Sequence, residues 1–399
     1  MILGASILQL PAIKKAKTMG LNVIVVDMNP NAIGFKEDGI TPLIISTIDT
    51  SEVICAAKEH QIDGIMTLAS DVPMPTVAAV CEELGLPGVS SQTALNATNK
   101  AEMRNCFKAY GAPIPEYYIV RSRDEFIDAA KNFTTTFMVK PADNSGNRGV
   151  KLIDAVSDED TLVEAFEYSH RFTRDGRVLL EEYMDGDEFS VETISINGEC
   201  HIIQITDKIT SGPPYFVELG HTQPSHYEDG SKALIIEATC AGVKALGIDN
   251  GPSHSEIKLT SNGPKIVEIG ARLGGGCITT HLVPLSTGVD MVEACIHIAL
   301  GEMPDLEPKF SKGAAIRFLH PEPGILRAVH GVKQVEAIPG IIEVGFMKAI
   351  GDVVPVMRNG LDRVGYVIAQ QPTREAAVEL CERAAGMINF TIENNSRVS

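Results

Sequence analysis

Two lysines, a polar glycine loop and two carboxylates follow one another through the middle of this chain. Lys100 comes first, then Lys140 in Met138-Val139-Lys140-Pro141. The loop Asp143-Asn144-Ser145-Gly146-Asn147-Arg148-Gly149 comes directly after. Glycines among Ser145 and Asn147 let backbone N–H groups converge on phosphate oxygens, and Arg148 adds a forked donor. Taken alone, Lys140 reads as an edge charge and the loop as a hairpin turn. Side by side, they suit a polyphosphate.

Glu256 and Glu268 lie on two strand-like segments joined by the turn Ser261-Asn262-Gly263, so the pair reads as a hairpin. Period-2 alternation can set both carboxylates on one face. Two like charges about 4 Å apart repel by roughly 4 kcal/mol at an effective dielectric of about 20. A divalent cation removes that conflict and bridges to phosphate, whereas unrelated partners would make the two glutamates ordinary strand residues. Glu181-Glu182-Tyr183 ends an apolar run, in a place where a hinge strand offers an adenine a flat slot. Glu188 is a candidate for ribose hydroxyls. Arg272 follows the second carboxylate and suits a substrate carboxylate or acyl phosphate. Gly274 and Gly275 permit close approach of substrate to backbone. Lys208, and then Glu218 and His221 in a Pro/Gly-rich loop, are candidates for contacts with a second substrate.

The elements that must position these groups alternate in character. Over residues 1–95, strands at Met1–Gly4, Leu21–Asp27 and Ile62–Leu68 alternate with helices at Ile7–Met19, Ser51–His60 and Pro73–Leu84, which predicts a doubly wound parallel sheet. A helix capped by Thr98 or Asn99 opens the next region, 96–185, an α+β lobe ending on the strand Val178–Tyr183. Longer strands (Glu188–Ile196, His201–Thr206, Ser253–Thr260, Lys265–Ile269) predict an antiparallel sheet over 186–305, covered by helices Lys232–Leu246 and Val289–Leu300. Residues 306–399 form a closing lobe with a final helix at Arg374–Met387. The fold class is therefore α/β plus α+β, multidomain.

Composition sets limits. A chain of 399 residues exceeds one simple core. The net charge of −18 excludes the basic footprint of a nucleic-acid binder and means an anionic ligand needs a local basic pocket. The eight cysteines form no Cys-x-x-Cys pair and read as reduced thiols of a cytoplasmic protein. No apolar run reaches a membrane span, and the start lacks a charged leader; its abrupt, strand-like opening suggests a few residues before Met1. A homodimer is the default expectation.

With these residues in place, the chain resembles the ATP-grasp superfamily over nearly its whole length. Lys100, Lys140-Pro141, the glycine loop, Glu181 to Glu188, Glu256 and Glu268 follow that family's order. The stretches His254-Ser255-Glu256-Ile257-Lys258 and Glu268-x-x-x-Arg272-Leu273-Gly274-Gly275 are similar to carboxylate–amine ligases of the L-amino-acid ligase type, with likeness also to glycinamide ribonucleotide synthetase and carbamoyl-phosphate synthase ATP-binding domains. The resemblance implies a Rossmann-like domain before a two-lobed ATP-grasp fold. ATP would lie between the lobes: Lys100, Lys140, Ser145, Gly146, Arg148 and Gly149 hold its phosphates, and Glu181, Glu182, Tyr183 and Glu188 its nucleoside. Glu256 and Glu268 would bind Mg2+ (or Mn2+). A carboxylate would be phosphorylated and an amine would displace the phosphate, with Lys140 and Arg272 as catalytic groups and Lys208, Glu218, His221, Arg272, Gly274 and Gly275 toward the substrates. One departure stands out: where the family commonly carries Asn two residues after the second carboxylate, this chain has Gly270. Two competing readings are an NAD(P)-dependent oxidoreductase using Gly4 and Asp27, against which the missing Gly-x-Gly-x-x-Gly speaks, and a nucleotide-binding regulator without chemistry.

Overall fold

The computed structural model describes residues 1–144 and 148–393. Ser145, Gly146 and the neighbouring Asn147 of the expected phosphate loop lie outside the described residues. The N-terminal region is a parallel sheet of Ile2–Leu3, Val23–Val26 and Ile40–Leu43 with flanking helices. Val23, Val25 and Val26 are buried, as in a sheet covered on both faces. The strand expected at Ile62–Leu68 is reduced to single parallel bridges, Ile2 to Met66 and Leu68 to Leu273. Leu68 thus joins the distant Arg272 segment rather than extending its own sheet.

The dinucleotide features of this region are occupied from within. Asp27 accepts hydrogen bonds from the Ala5 and Asn29 N–H groups, each at 2.8 Å. The Gln9 side chain lies against Gly4 so closely that a Cβ there would meet it at 2.8 Å. That crevice serves the first turn of the fold, which disfavours the oxidoreductase reading.

The small lobe is an antiparallel sheet in the order Tyr117–Val120, Val178–Glu182, Phe137–Pro141, Lys151–Ile153. Its helices, Arg123–Ala130 and Glu159–His170, are capped by Ser122 and Asp158 side chains. They bury Phe126, Ala165 and Phe166 against Val139 and Leu180.

An eight-stranded antiparallel sheet follows, in the order Gly263–Gly270, Gly251–Thr260, Asp187–Ile196, Glu199–Thr210, Glu218–Gln223, Gly313–Leu319, Gly365–Gln371, Ile341–Phe346, and a separate three-stranded sheet pairs Gly324–His330 with Val353–Val354 and Asn389–Glu393. The eight-stranded sheet runs without a break across the expected boundary at 305/306, because Gly220–Gln223 pairs with Ala314–Arg317. Glu218 and His221, expected in a loop, lie on that strand; the loop ends at Val217. One face of the first strands carries Phe189, Val191, Ile257, Ile266 and Ile269, packed under the helix Asp229–Leu246 and against Phe107. Alternation sends the polar residues to the other face.

Candidate active site

Strand register, not sequence proximity, assembles the site. Glu256 stands directly opposite Glu268 on the adjoining strand, with a bulge immediately after Glu256. Across the other neighbour, His254 opposes Glu192, and Lys258 opposes Glu188. Further along the sheet, His221 opposes Lys208. Glu268, Glu256, Glu188, Lys208 and His221 therefore lie as a band across one face.

Lys208 is its hub. Its side chain is 3% exposed, and Nζ lies 2.6 Å from Glu188, 2.8 Å from Glu256 and 3.3 Å from Glu218. Burial opposes the charge, but the three carboxylates hold the Lys208 pKa well above its ordinary range. Glu256 and Glu218, though partly buried, stay below the carboxylate range because Lys208 faces both. On the other flank, Lys100 Nζ lies 2.9 Å from Glu268 and donates to the Asn144 carbonyl at 3.1 Å. The repulsion expected between the two glutamates is thus relieved by a lysine on each.

Lys100 begins a helix, Lys100–Tyr110, capped by the Asn99 side chain and closed by Gly111 in the left-handed region. Four residues on, Arg104 returns on the same side of that helix. It holds Glu181 through Nε at 2.7 Å and Nη2 at 3.2 Å, and Lys140 reaches the same carboxylate at 2.5 Å. Arg104 and Glu181 are each 1% exposed. Burial disfavours the Glu181 charge, yet the two cations bring its pKa down to about 2. Burial lowers the Lys140 pKa despite Glu181. Glu181, expected at the nucleoside, has its carboxylate engaged with Lys140 and Arg104.

Glu182 is likewise engaged, with both oxygens 2.7 Å from Lys265. Tyr183 lies under the Lys258 ammonium, 5.3 Å from its ring centre. Arg148 lines one cleft with Lys100, Asn144, Glu268 and Gly270. Gly149 takes φ of +80°, and a Cβ there would meet Phe172 at 3.0 Å, so the loop turns where only glycine fits easily.

At the far side, Glu218 is 3.1 Å from Arg363 and 3.6 Å from His221. His221 is fully buried, neither ring nitrogen has a hydrogen-bond partner among the described residues, and burial lowers its pKa despite Glu218. His254 sits 2.5 Å from Glu192; burial opposes its charge, but that carboxylate raises its pKa to about 9. Gly274 and Gly276 are the close approaches over these imidazoles: a Cβ at 274 would meet His254 at 2.6 Å, and one at 276 would meet His221 at 2.9 Å. Gly275 leaves a Cβ at ordinary contact with Ala69.

Arg272 is held by Asp71 of the N-terminal region, through Nε at 2.8 Å and Nη2 at 3.0 Å. Asp71, Arg104, Glu192, His254 and Arg363 are the site residues that reasoning from spacing left without a role. Arg104 had a signal, its helical spacing from Lys100, and His254 another, its alternation with Glu256. Asp71 and Arg363 had none, because their charge partners, Arg272 and Glu218, lie 201 and 145 residues away.

The opposed Glu256 and Glu268 offer oxygen donors of the kind a hard divalent cation takes, and no group of three or more potential side-chain ligands occurs among the described residues. Glu256 and Glu268 would hold it, exchanging part of their contact with Lys208 and Lys100.

Comparison with known proteins bears on the family and the fold. Three family models match in chain order: the ATP-grasp N-terminal domain over residues 13–88, the ATP-grasp domain over 133–280, and the L-amino acid ligase C-terminal domain 2 over 317–393. The uncharacterized protein y4rH of Sinorhizobium fredii (strain NBRC 101917 / NGR234) is 31% identical over 342 residues, covering 84% of this chain and 69% of that protein. Alanine–anticapsin ligase of Bacillus subtilis (strain 168) is 28% identical over 267 residues, covering 62% of this chain and 56% of that protein. The chain thus spans little more than half the length of that ligase. The crystal structure of L-amino acid ligase from Bacillus licheniformis superposes with a TM-score of 0.83 at 22% identity, covering 98% of each chain, which establishes the common fold. The chain belongs to the ATP-grasp superfamily. Its C-terminal match is to the L-amino acid ligase branch.

Proposed function

We propose that this protein is an ATP-dependent ligase that joins a small carboxylate, an amino acid in the first instance, to an amine, releasing ADP and phosphate. The observation that carries the reading is the band of opposed Glu256 and Glu268 flanked by Lys208 and Lys100, on a chain of this superfamily. The C-terminal match supports an L-amino-acid-ligase-like activity over the glycinamide ribonucleotide synthetase alternative.

Lys100, Lys140 and Arg148 attract the ATP phosphates, and Gly149 shapes the described end of the expected phosphate loop, to which Ser145 and Gly146 belong by sequence. Lys140 keeps its place through the Glu181 anchor. Tyr183 and the hinge backbone flank the nucleoside, with Glu182 and Glu188 at its edge. Magnesium, when bound, neutralises phosphate charge; manganese is the expected substitute. The substrate carboxylate attacks the γ-phosphate to give an acyl phosphate, oriented by Arg272. An amine then displaces phosphate. His221 suits the removal of the amine's proton: it is buried, held toward its neutral form and beside Glu218. Lys208 keeps Glu188, Glu218 and Glu256 ionised around the reacting groups. Gly274 and Gly275 admit substrate against the backbone. A cytoplasmic location and a homodimer are the expected setting, the dimer checked by light scattering.

The test is a phosphate-release screen with Mg-ATP over a matrix of amino acids, other small carboxylates and amines, with the nucleotide product identified. ADP that depends on both an acid and an amine is the expected result. AMP as product, or nucleotide turnover indifferent to acid and amine, refutes the reading.

A further inference from the structure

Arg272 is fixed by a residue outside its own lobe. Asp71 sits in the segment between Leu68 and the helix Met74–Leu84. That segment is tied to the Arg272 strand end by the parallel bridge of Leu68 with Leu273, in which the Ala69 N–H donates to the Leu273 carbonyl at 3.2 Å. Ala69 adopts φ of +57° there, a conformation that costs a non-glycine residue and persists where the surroundings fix it. The Asp71 carboxylate takes the Nε–Nη2 edge of the guanidinium in a two-point contact at 2.8 and 3.0 Å. At the Nη1–Nη2 end, Nη2 is shared with Asp71 and Nη1 donates to the Leu273 carbonyl at 3.3 Å, and each nitrogen carries a second N–H.

Gly270 completes the arrangement. A Cβ at 270 would lie 2.9 Å from Asp71 Oδ1 and 3.3 Å from Arg272 Cζ. The Asp71 carboxylate therefore fills the space into which a side chain at 270 would project. Glycine at 270, the departure from the family pattern, makes room for a carboxylate delivered from the N-terminal domain.

We propose that Asp71 is the positioning residue for Arg272: it clamps one edge of the guanidinium so that the other end meets the substrate carboxylate, in the space that Gly270 leaves open. The inference rests on the ligase reading. A forked cation held on one edge by two charge-assisted bonds presents its remaining donors in one orientation, whereas a free one samples several.

The experiment compares wild type with Asp71→Asn, Asp71→Ala, and Asp71→Ala combined with Gly270→Asp. Read out are the KM for the carboxylate substrate, kcat, Mg-ATP affinity by calorimetry, and the melting temperature. Asp71→Asn keeps the shape and removes the charge, so it remains informative where Asp71→Ala is poorly folded. Its expected effect is about a tenfold rise in the carboxylate KM, the scale of losing a hydrogen-bonded charge, with Mg-ATP affinity within about twofold of wild type. In the double variant a carboxylate returns to the same space from position 270, and the KM is expected to recover by at least about threefold relative to Asp71→Ala. An unchanged KM in Asp71→Asn, a parallel loss of Mg-ATP affinity, or a double variant no better than Asp71→Ala overturns the proposal. If wild type forms no ADP with any pair, the ligase reading fails separately. The same variants are then titrated with amino acids in the presence of Mg-ADP, where equal affinity in wild type and Asp71→Asn overturns the proposal by itself.

Discussion

Replacing Lys208 by Met tests the electrostatic logic of the site most directly. The substitution keeps the length of the side chain and removes the one charge that faces Glu188, Glu218 and Glu256. At the observed separations each pair is worth about 5–6 kcal/mol in gross Coulomb energy at an effective dielectric of about 20. Desolvation of a buried ammonium offsets most of that sum, and taking one partner out of a buried network costs about 3–5 kcal/mol net. A fall in melting temperature of about 6–20 °C is the matching expectation for a cooperative unit of about 150–250 residues. The penalty must also depend on pH in a defined direction. In wild type, Glu218 and Glu256 titrate below their unfolded values, so their contribution is present above roughly pH 4.3 and is lost as pH falls through the folded values. Lys208, raised well above its ordinary value, contributes below about pH 10.4 and loses that contribution as pH rises through its folded value. Without Lys208 the carboxylates bind protons more readily, so acidification relieves the variant. The difference between wild type and Lys208→Met is therefore largest near pH 8 and shrinks toward pH 5. Thermal melts across that range are the assay. A penalty below about 1 kcal/mol, or one that stays constant from pH 8 to pH 5, would show that Lys208 is not the charge that holds these glutamates together.

Glu268→Gln is expected to reduce ADP formation by about 100-fold or more while leaving the melting temperature nearly unchanged, because Lys100 and Glu268 both retain solvent contact; parallel rate and melting measurements separate the two. Glu181→Gln should instead destabilise the fold by about 3–5 kcal/mol, since it leaves Arg104 and Lys140 buried without their counter-charge. Adding Arg104→Met to it should restore part of that loss, as a double-variant melting cycle would record. The Glu192–His254 pair contributes stability that is complete below about pH 6.5 and is lost as pH rises through about 9; His254→Gln should flatten the melting profile between pH 7 and pH 10, and an unaltered profile there would remove this pair from the account.

Most helices and the inventory of charges were legible in the sequence, whereas the strand expected at Ile62–Leu68 came down to isolated bridges. Alternation and capping residues carry that information locally: the final helix falls at Arg374–Met387 as expected, and Asn99 caps the helix that presents Lys100. Glu256 and Glu268 were legible as a pair because a hairpin fixes which face its residues share, and the two do oppose each other. Tertiary structure alone decided what each charge faces. Glu181 carries no local mark of its commitment to Arg104 and Lys140, since that depends on how a helix packs on a sheet 77 residues away in sequence. Glu218 and His221 looked like loop residues because their strand is short and follows a Pro/Gly-rich stretch, and only pairing with Glu199–Thr210 and Gly313–Leu319 draws them into the sheet. Gly270 read as a missing ligand; the space beside it is filled by Asp71 from another domain, 201 residues from its partner Arg272. Propensity and periodicity act over a few residues, whereas electrostatic partnership acts over a few ångströms, and the fold alone converts one distance into the other.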